Sequence, residues 1–162
     1  MTVLEYIKIV NGISDNEMID PNKIKYFGYL DVDAKNPYSM TDAFVSQKIL
    51  IESGKLIVIN EYETAKGKLY CPRRMTLLND DISLHCKYRV LDALERTKWE
   101  FKKRINMLLV LSNNNNLLST AKRMYEINKC SAIINRLNQA IKGEKIKNMD
   151  RYTGSKKRIL SK

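Results

Sequence analysis

The sequence predicts an α+β fold. A small β-containing unit, residues 1–72, runs helix, strand, helix, hairpin. A long basic antiparallel helical hairpin, residues 73–143, and a flexible basic tail, residues 144–162, follow it. Three observations carry this reading. Apolar residues of the first half alternate with a period of two. From Arg73 to Ile141 there is no Pro or Gly, and apolar residues step by threes and fours. Charge also divides the chain: residues 1–72 hold eight Lys, no Arg and ten Asp or Glu, a net −2. Residues 73–162 hold twenty-one Lys or Arg against eight acids, a net +13, and include all nine arginines.

The elements follow in order. Residues 3–10 have the spacing of a short helix, closed by Asn11-Gly12, two residues that tolerate a left-handed cap. Asp20-Pro21-Asn22 marks a turn. Residues 23–32 then alternate, with Ile24, Tyr26, Leu30 and Val32 on one face and Lys23, Lys25 and Asp31 on the other, which predicts a half-buried strand. Asn36-Pro37 interrupts the chain. Ser39 to Asp42 has the form of a capping box and predicts a helix to about Ser53, stopped by Gly54. Residues 56–62 form a β run. A turn through 64–67 returns the chain into residues 69–71, where Pro72 ends the hairpin after a longer loop.

In the second half, Leu91, Leu94, Phe101, Ile105 and Leu108 predict an amphipathic helix over roughly 86–111. Residues 112–116, Ser followed by four Asn, break it. Met124, Ile127, Cys130, Ile134, Leu137 and Ile141 predict a second helix over roughly 117–142, ended by Gly143. Two long helices joined by a short polar loop fold back on each other.

The basic residues are patterned within these helices. Arg89, Arg96 and Lys103 recur every seven residues and drift only about 20° per step, so they share a stripe. The apolar positions centre about 160° from it. Lys122, Lys129 and Arg136 repeat the spacing on the second helix, clear of its apolar face. Lys142, Lys145, Lys147, Arg151, Lys156, Lys157 and Arg158 extend the positive surface into the tail. Phosphate recognition needs such an array, because each contact releases condensed counterions and the gain accumulates. Arginine adds bidentate geometry that lysine lacks.

The expected partner is therefore nucleic acid, DNA or RNA, or an acidic surface of a nucleoprotein complex. The near-neutral N-terminal unit is left to a protein partner or self-association. A rival reading is a small inhibitor or adaptor, such as an anti-defence protein, that presses its basic face into an acidic groove of a larger complex. The abundance of Lys, Asn and Ile suggests an AT-rich genome, as in a phage, a virus or a low-GC bacterium.

Other chemistries find less support in the sequence. A helix at 40–53 followed by a β-hairpin has the local order of a winged helix, with Lys66 and Lys68 on the wing. Against it, that helix would carry Asp42 and Glu52 but only Lys48. Cys71, His85, Cys86 and Cys130 could ligate zinc, yet no pair has the short C-x₂-C spacing. Asp31 and Asp33, with Asp80 and Asp81, could hold a nuclease metal, but no third ligand stands at a recognisable spacing. Asp80 and Asp81 read better as caps of the long helix. No phosphate-loop, dinucleotide or nucleophile-elbow motif occurs, and there is one histidine. The expectation is a non-catalytic protein without cofactor. The longest apolar run, residues 107–111, is far too short to span a bilayer, and the N-terminus lacks a signal pattern, so a soluble cytoplasmic protein without a membrane partner is expected.

Overall fold

The computed structural model describes residues 1–30, 43–113 and 120–160, apart from the side chains of 43–47, 71–74, 111–113 and 150–160. It is α+β, and contacts divide it into two compact units, Met1–Lys87 and Tyr88–Lys162.

The first unit opens with α1 (Val3–Val10). Its start is a capping box: the Glu5 N–H donates to the Thr2 hydroxyl at 3.1 Å, and the Thr2 N–H donates to Glu5 Oε2 at 3.0 Å. Val3, Tyr6, Ile7 and Val10 are buried. Asn11 caps the C-terminus and Gly12 follows at φ 67°, as the sequence predicts.

Residues 23–30 correct the sequence reading. They hold no strand beyond a 3₁₀ turn at Pro21–Lys23 and an isolated bridge from Leu30 to Cys86. The alternation survives only as burial of Ile24 and Leu30. The physical reason lies in where the backbone is satisfied. The Lys25 and Tyr26 N–H groups donate to Asn11 Oδ1 at 2.9 and 3.0 Å, and Asn11 Nδ2 donates to the Tyr26 carbonyl at 2.8 Å. The Tyr29 N–H donates to the Tyr6 hydroxyl at 3.2 Å. Side chains thus take the bonds that a neighbouring strand would have taken. Residues 31 and 32 lie outside the described residues.

The sheet is a three-stranded antiparallel meander in the order β1 (Ala43–Glu52), β2 (Lys55–Thr64), β3 (Gly67–Leu77). β1 replaces the helix expected to reach Ser53. The segment Ile49-Leu50-Ile51 is apolar, with two β-branched isoleucines, and it pairs with Leu56, Ile57 and Val58. Tertiary pairing outweighs a local helix-start signal whose residues, 39–42, lie outside those described. Ser53-Gly54 is not a helix stop but a two-residue hairpin turn, with φ 51° and 73°. Positive φ at both positions is the primed turn whose twist matches the flanking strands. The second turn is shorter than expected, only Ala65-Lys66 before Gly67 at φ 106°.

β2 alternates strictly, burying Leu56, Val58, Asn60 and Tyr62. β3 passes through Pro72, which was expected to end it. It is an edge strand, and the register shifts between Ile57 and Ile59, with Ile59 opposite Pro72. A proline that lacks an N–H is tolerated at such a bulge on an edge. The charge break at 72/73 therefore falls inside a strand. On the other sheet face Tyr70 is exposed, and the hydrogen bond its hydroxyl donates to the Glu61 carboxylate, with the charge of that carboxylate, holds the hydroxyl above its ordinary pKa.

Asp80 and Asp81 do not cap the long helix. Asp81 caps a 3₁₀ turn, Ile82–Leu84, accepting from the Ser83 N–H at 2.9 Å, and Asp80 Oδ2 lies 2.8 Å from His85 Nε2.

The second unit is the expected helical hairpin, α2 (Val90–Asn113) and α3 (Thr120–Leu160), packed on each other. Lys145 Nζ lies 3.9 Å from Glu95 Oε1, and the Arg104 charge acts on Cys130. Position 95 thus faces 145 and 104 faces 130, which makes the pair antiparallel. Ala93, Leu94, Thr97, Phe101 and Leu108 of α2 are buried, as are Cys130, Ile133, Leu137 and Ile141 of α3. Thr97 is accommodated because its hydroxyl donates to the Ala93 carbonyl at 2.7 Å.

Gly143 does not end α3, which runs on through Leu160. Glycine costs only about 1 kcal/mol in a helix, and Glu144, Lys145 and Lys147 beyond it are good helix formers. Residues 144–160 are thus helix where a flexible tail was expected. At 41 residues α3 is about 60 Å long against about 36 Å for the 24 residues of α2. The register leaves its last three turns beyond the start of α2.

Candidate nucleic-acid interface

The two units keep the charge division of the sequence halves, slightly reduced. Residues 88–162 carry eighteen Lys or Arg against six Asp or Glu, a net +12, while residues 1–87 carry eleven against twelve, a net −1. The positive charge belongs to the helical hairpin.

On α2 and the residue just before it, Arg89, Arg96 and Lys103 are all exposed. Arg89 stands just before the first turn, and within α2 the mean direction of Arg96 and Lys103 lies about 125° round the helix from that of the buried residues, at 100° per residue. That is closer than the apolar spacing implied, because Ala93 and Thr97 enter the core while Leu91 and Ile105 sit half-buried at its edge. On α3 the stripe of Lys122, Lys129 and Arg136 lies nearer still, about 85° from the buried set. Ile133 is buried, whereas Met124, expected in the core, is 55% exposed. Lys122 and Lys129 are exposed and Arg136 is half-buried. The two stripes are therefore unequal, and the one on α2 is the cleaner.

Lys142, Lys145 and Lys147 are exposed on the helix, with Lys145 near Glu95. Arg151, Lys156, Lys157 and Arg158 belong to the helical stretch whose side chains are not described. Lys102 and Arg104 add exposed cations that the stripe pattern passed over.

The sequence also missed the aromatic residues among these cations. Trp99 is 56% exposed, with the Lys103 ammonium 4.3 Å from its ring centroid. Tyr88 is 44% exposed, with the Arg96 guanidinium 4.3 Å from its centroid. The signal was present: Trp99 stands three residues after Arg96 and four before Lys103, the two spacings that bring helical neighbours together. Further along α2, Lys103, Asn106, Met107 and Val110 line a shallow depression of ≈ 350 Å³. At the start of α3, Ala121, Lys122, Tyr125 and Glu126 line another of ≈ 420 Å³.

Among the described residues no group of three His, Cys, Asp or Glu side chains could hold a metal ion. Cys130 is buried in the hairpin core, and burial pushes its thiol pKa up, away from the reactive thiolate. Cys86 is half-buried, and the Cys71 side chain, like Asp31 and Asp33, lies outside what is described. Residues 43–52 are a strand, so the helix a winged helix would need is not there. Among the described residues no helix is long and apolar enough to cross a membrane. The chain matches no protein-family model, no curated protein and no solved structure.

Proposed function

We propose that this protein is a non-catalytic nucleic-acid-binding protein that contacts the phosphate backbone through the basic helical hairpin of its second unit. The observation that carries this reading is the concentration of +12 on one hairpin, with exposed cations in register along α2, beside a first unit of −1. An ordinary solubilising surface needs net charge but neither segregation of sign nor alignment. Counterion release rewards both, since the contacts must act together along one polyanion. The first unit, with no excess of cations, is left for a protein partner or a second copy.

A second reading has its own support. Met107 and Val110 near the end of α2, with Met124 and Tyr125 near the start of α3, are all more than half exposed. Exposed apolar side chains beside cations suit an adaptor or inhibitor that docks on a nucleoprotein complex. Mixing the purified full-length protein with random duplex and single-stranded oligonucleotides separates the two. Binding without any other protein is expected of the first reading. Failure to shift either oligonucleotide at low salt would leave the adaptor reading.

A further inference from the structure

The cationic face of α2 carries more than phosphate contacts require. A surface that only tracks a duplex backbone has no use for an exposed indole, because duplex bases are sealed in their own stack. Trp99 nevertheless lies on the stripe side of α2, more than half exposed, while Phe101 two residues on fills the core. Leaving an indole in water forfeits one of the largest burial gains a side chain offers.

The indole does not stand alone. Lys103 sits over its ring at 4.3 Å, and Arg96 sits over the Tyr88 ring at the same distance. Each contact restricts a ring and holds a cation beside it. Tyr88 precedes the helix, but Arg96 of α2 lies over its ring, and Arg96 and Trp99, three residues apart, are neighbours on the helix surface. Ring, cation, ring, cation therefore follow one another along a single face. This is the arrangement in which a base stacks on a ring and the adjoining phosphate meets the charge.

Resting on the nucleic-acid reading above, we infer that Trp99 with Lys103, and Tyr88 with Arg96, form a stacking platform, and that the nucleic acid taken by this face is single-stranded. Unpaired bases expose the π-faces that a duplex hides, so the platform adds to single-strand binding and nothing to duplex binding. Selectivity for sequence is not implied, because every base offers a π-face.

Trp99 is the only tryptophan in the chain, so the intrinsic fluorescence of the full-length protein reports on this one ring. The experiment titrates the protein with oligothymidylate and with a duplex of the same length at one salt concentration. The expected result is strong quenching by the single strand and little by the duplex. Trp99→Ala should weaken single-strand binding about 5- to 150-fold and leave duplex affinity within about twofold. Trp99→Phe, which keeps a ring, should restore most of the loss. Binding of both oligonucleotides without quenching, with Trp99→Ala indistinguishable from the unaltered chain, overturns the platform and leaves phosphate binding intact. Equal quenching by both also overturns it. No binding to either removes the nucleic-acid reading and the platform with it.

Discussion

Replacing Arg89, Arg96 and Lys103 together by Gln removes the cleaner of the two stripes without touching the hairpin core. All three side chains are exposed, and Gln forms helix almost as well as Arg or Lys. The structural cost is the two ring contacts, about 0.5–1 kcal/mol each at exposed sites. Helical circular dichroism should therefore persist. The binding cost is larger. With about five phosphates of a duplex probe contacted, log K falls against log salt with a slope near −4.5, and loss of three contacts brings it to about −1.8. Between 50 and 200 mM salt the unaltered protein should lose about 500-fold in affinity and the variant only about 12-fold. A control with Lys156, Lys157 and Arg158 changed to Gln removes the same charge from the last turns of α3. Fluorescence anisotropy with a labelled oligonucleotide measures both. Equal effects from the two triplets would refute the claim that alignment on α2 matters, and would reduce the attraction to diffuse net charge. A larger effect from the terminal triplet would move the binding face to the end of α3.

Three further outcomes test the structure itself. A fragment of residues 88–162 should fold as a helical hairpin and keep most of the affinity, whereas residues 1–87 should bind no oligonucleotide; binding by the first unit alone would reverse the assignment. Gly28→Ala should destabilise the first unit by about 2 kcal/mol or more, because φ is +56° and the added methyl runs into the buried Tyr6 hydroxyl; urea denaturation should show a smaller loss in a Tyr6→Phe background. With Cys71 changed to Ser, a thiol reagent near pH 8 should label Cys86 promptly and Cys130 only as fast as the hairpin opens, and equal rates would contradict the packing of Cys130 against α2.

The hairpin of long helices was readable because its signal is long. Leu94, Phe101, Leu108, Cys130, Leu137 and Ile141 recur at helical spacing over several turns, and all six are buried. Short segments were not readable in the same way. Residues 43–52 contain an apolar run that fits helix or strand, and only pairing with β2 decides between them. Residues 23–30 alternate like a strand, yet Asn11 and Tyr6, far away in sequence, supply their backbone partners. Pro72 and Gly143 are residues that commonly end a strand and a helix, but an edge bulge accommodates the first and flanking helix formers carry the second.

The candidate surface was legible in charge and only half legible in chemistry. A seven-residue period finds Arg89, Arg96 and Lys103, since cations are placed by spacing alone. It passes over Tyr88 and Trp99, because an aromatic residue in a helix is expected in the core until the burial of its neighbours shows otherwise. The division into units was displaced for a related reason. Charge changes sign at Arg73, while the backbone of β3 continues to Leu77 and the compact unit to Lys87.

If the +12 hairpin binds a polyanion through several phosphates at once, salt titration of the full-length protein must show it. With about five phosphates contacted, log K should fall linearly with log salt at a slope near −4.5 for a random duplex and near −3.5 for a single strand. A slope flatter than about −1.5, or no binding at low salt, would contradict it.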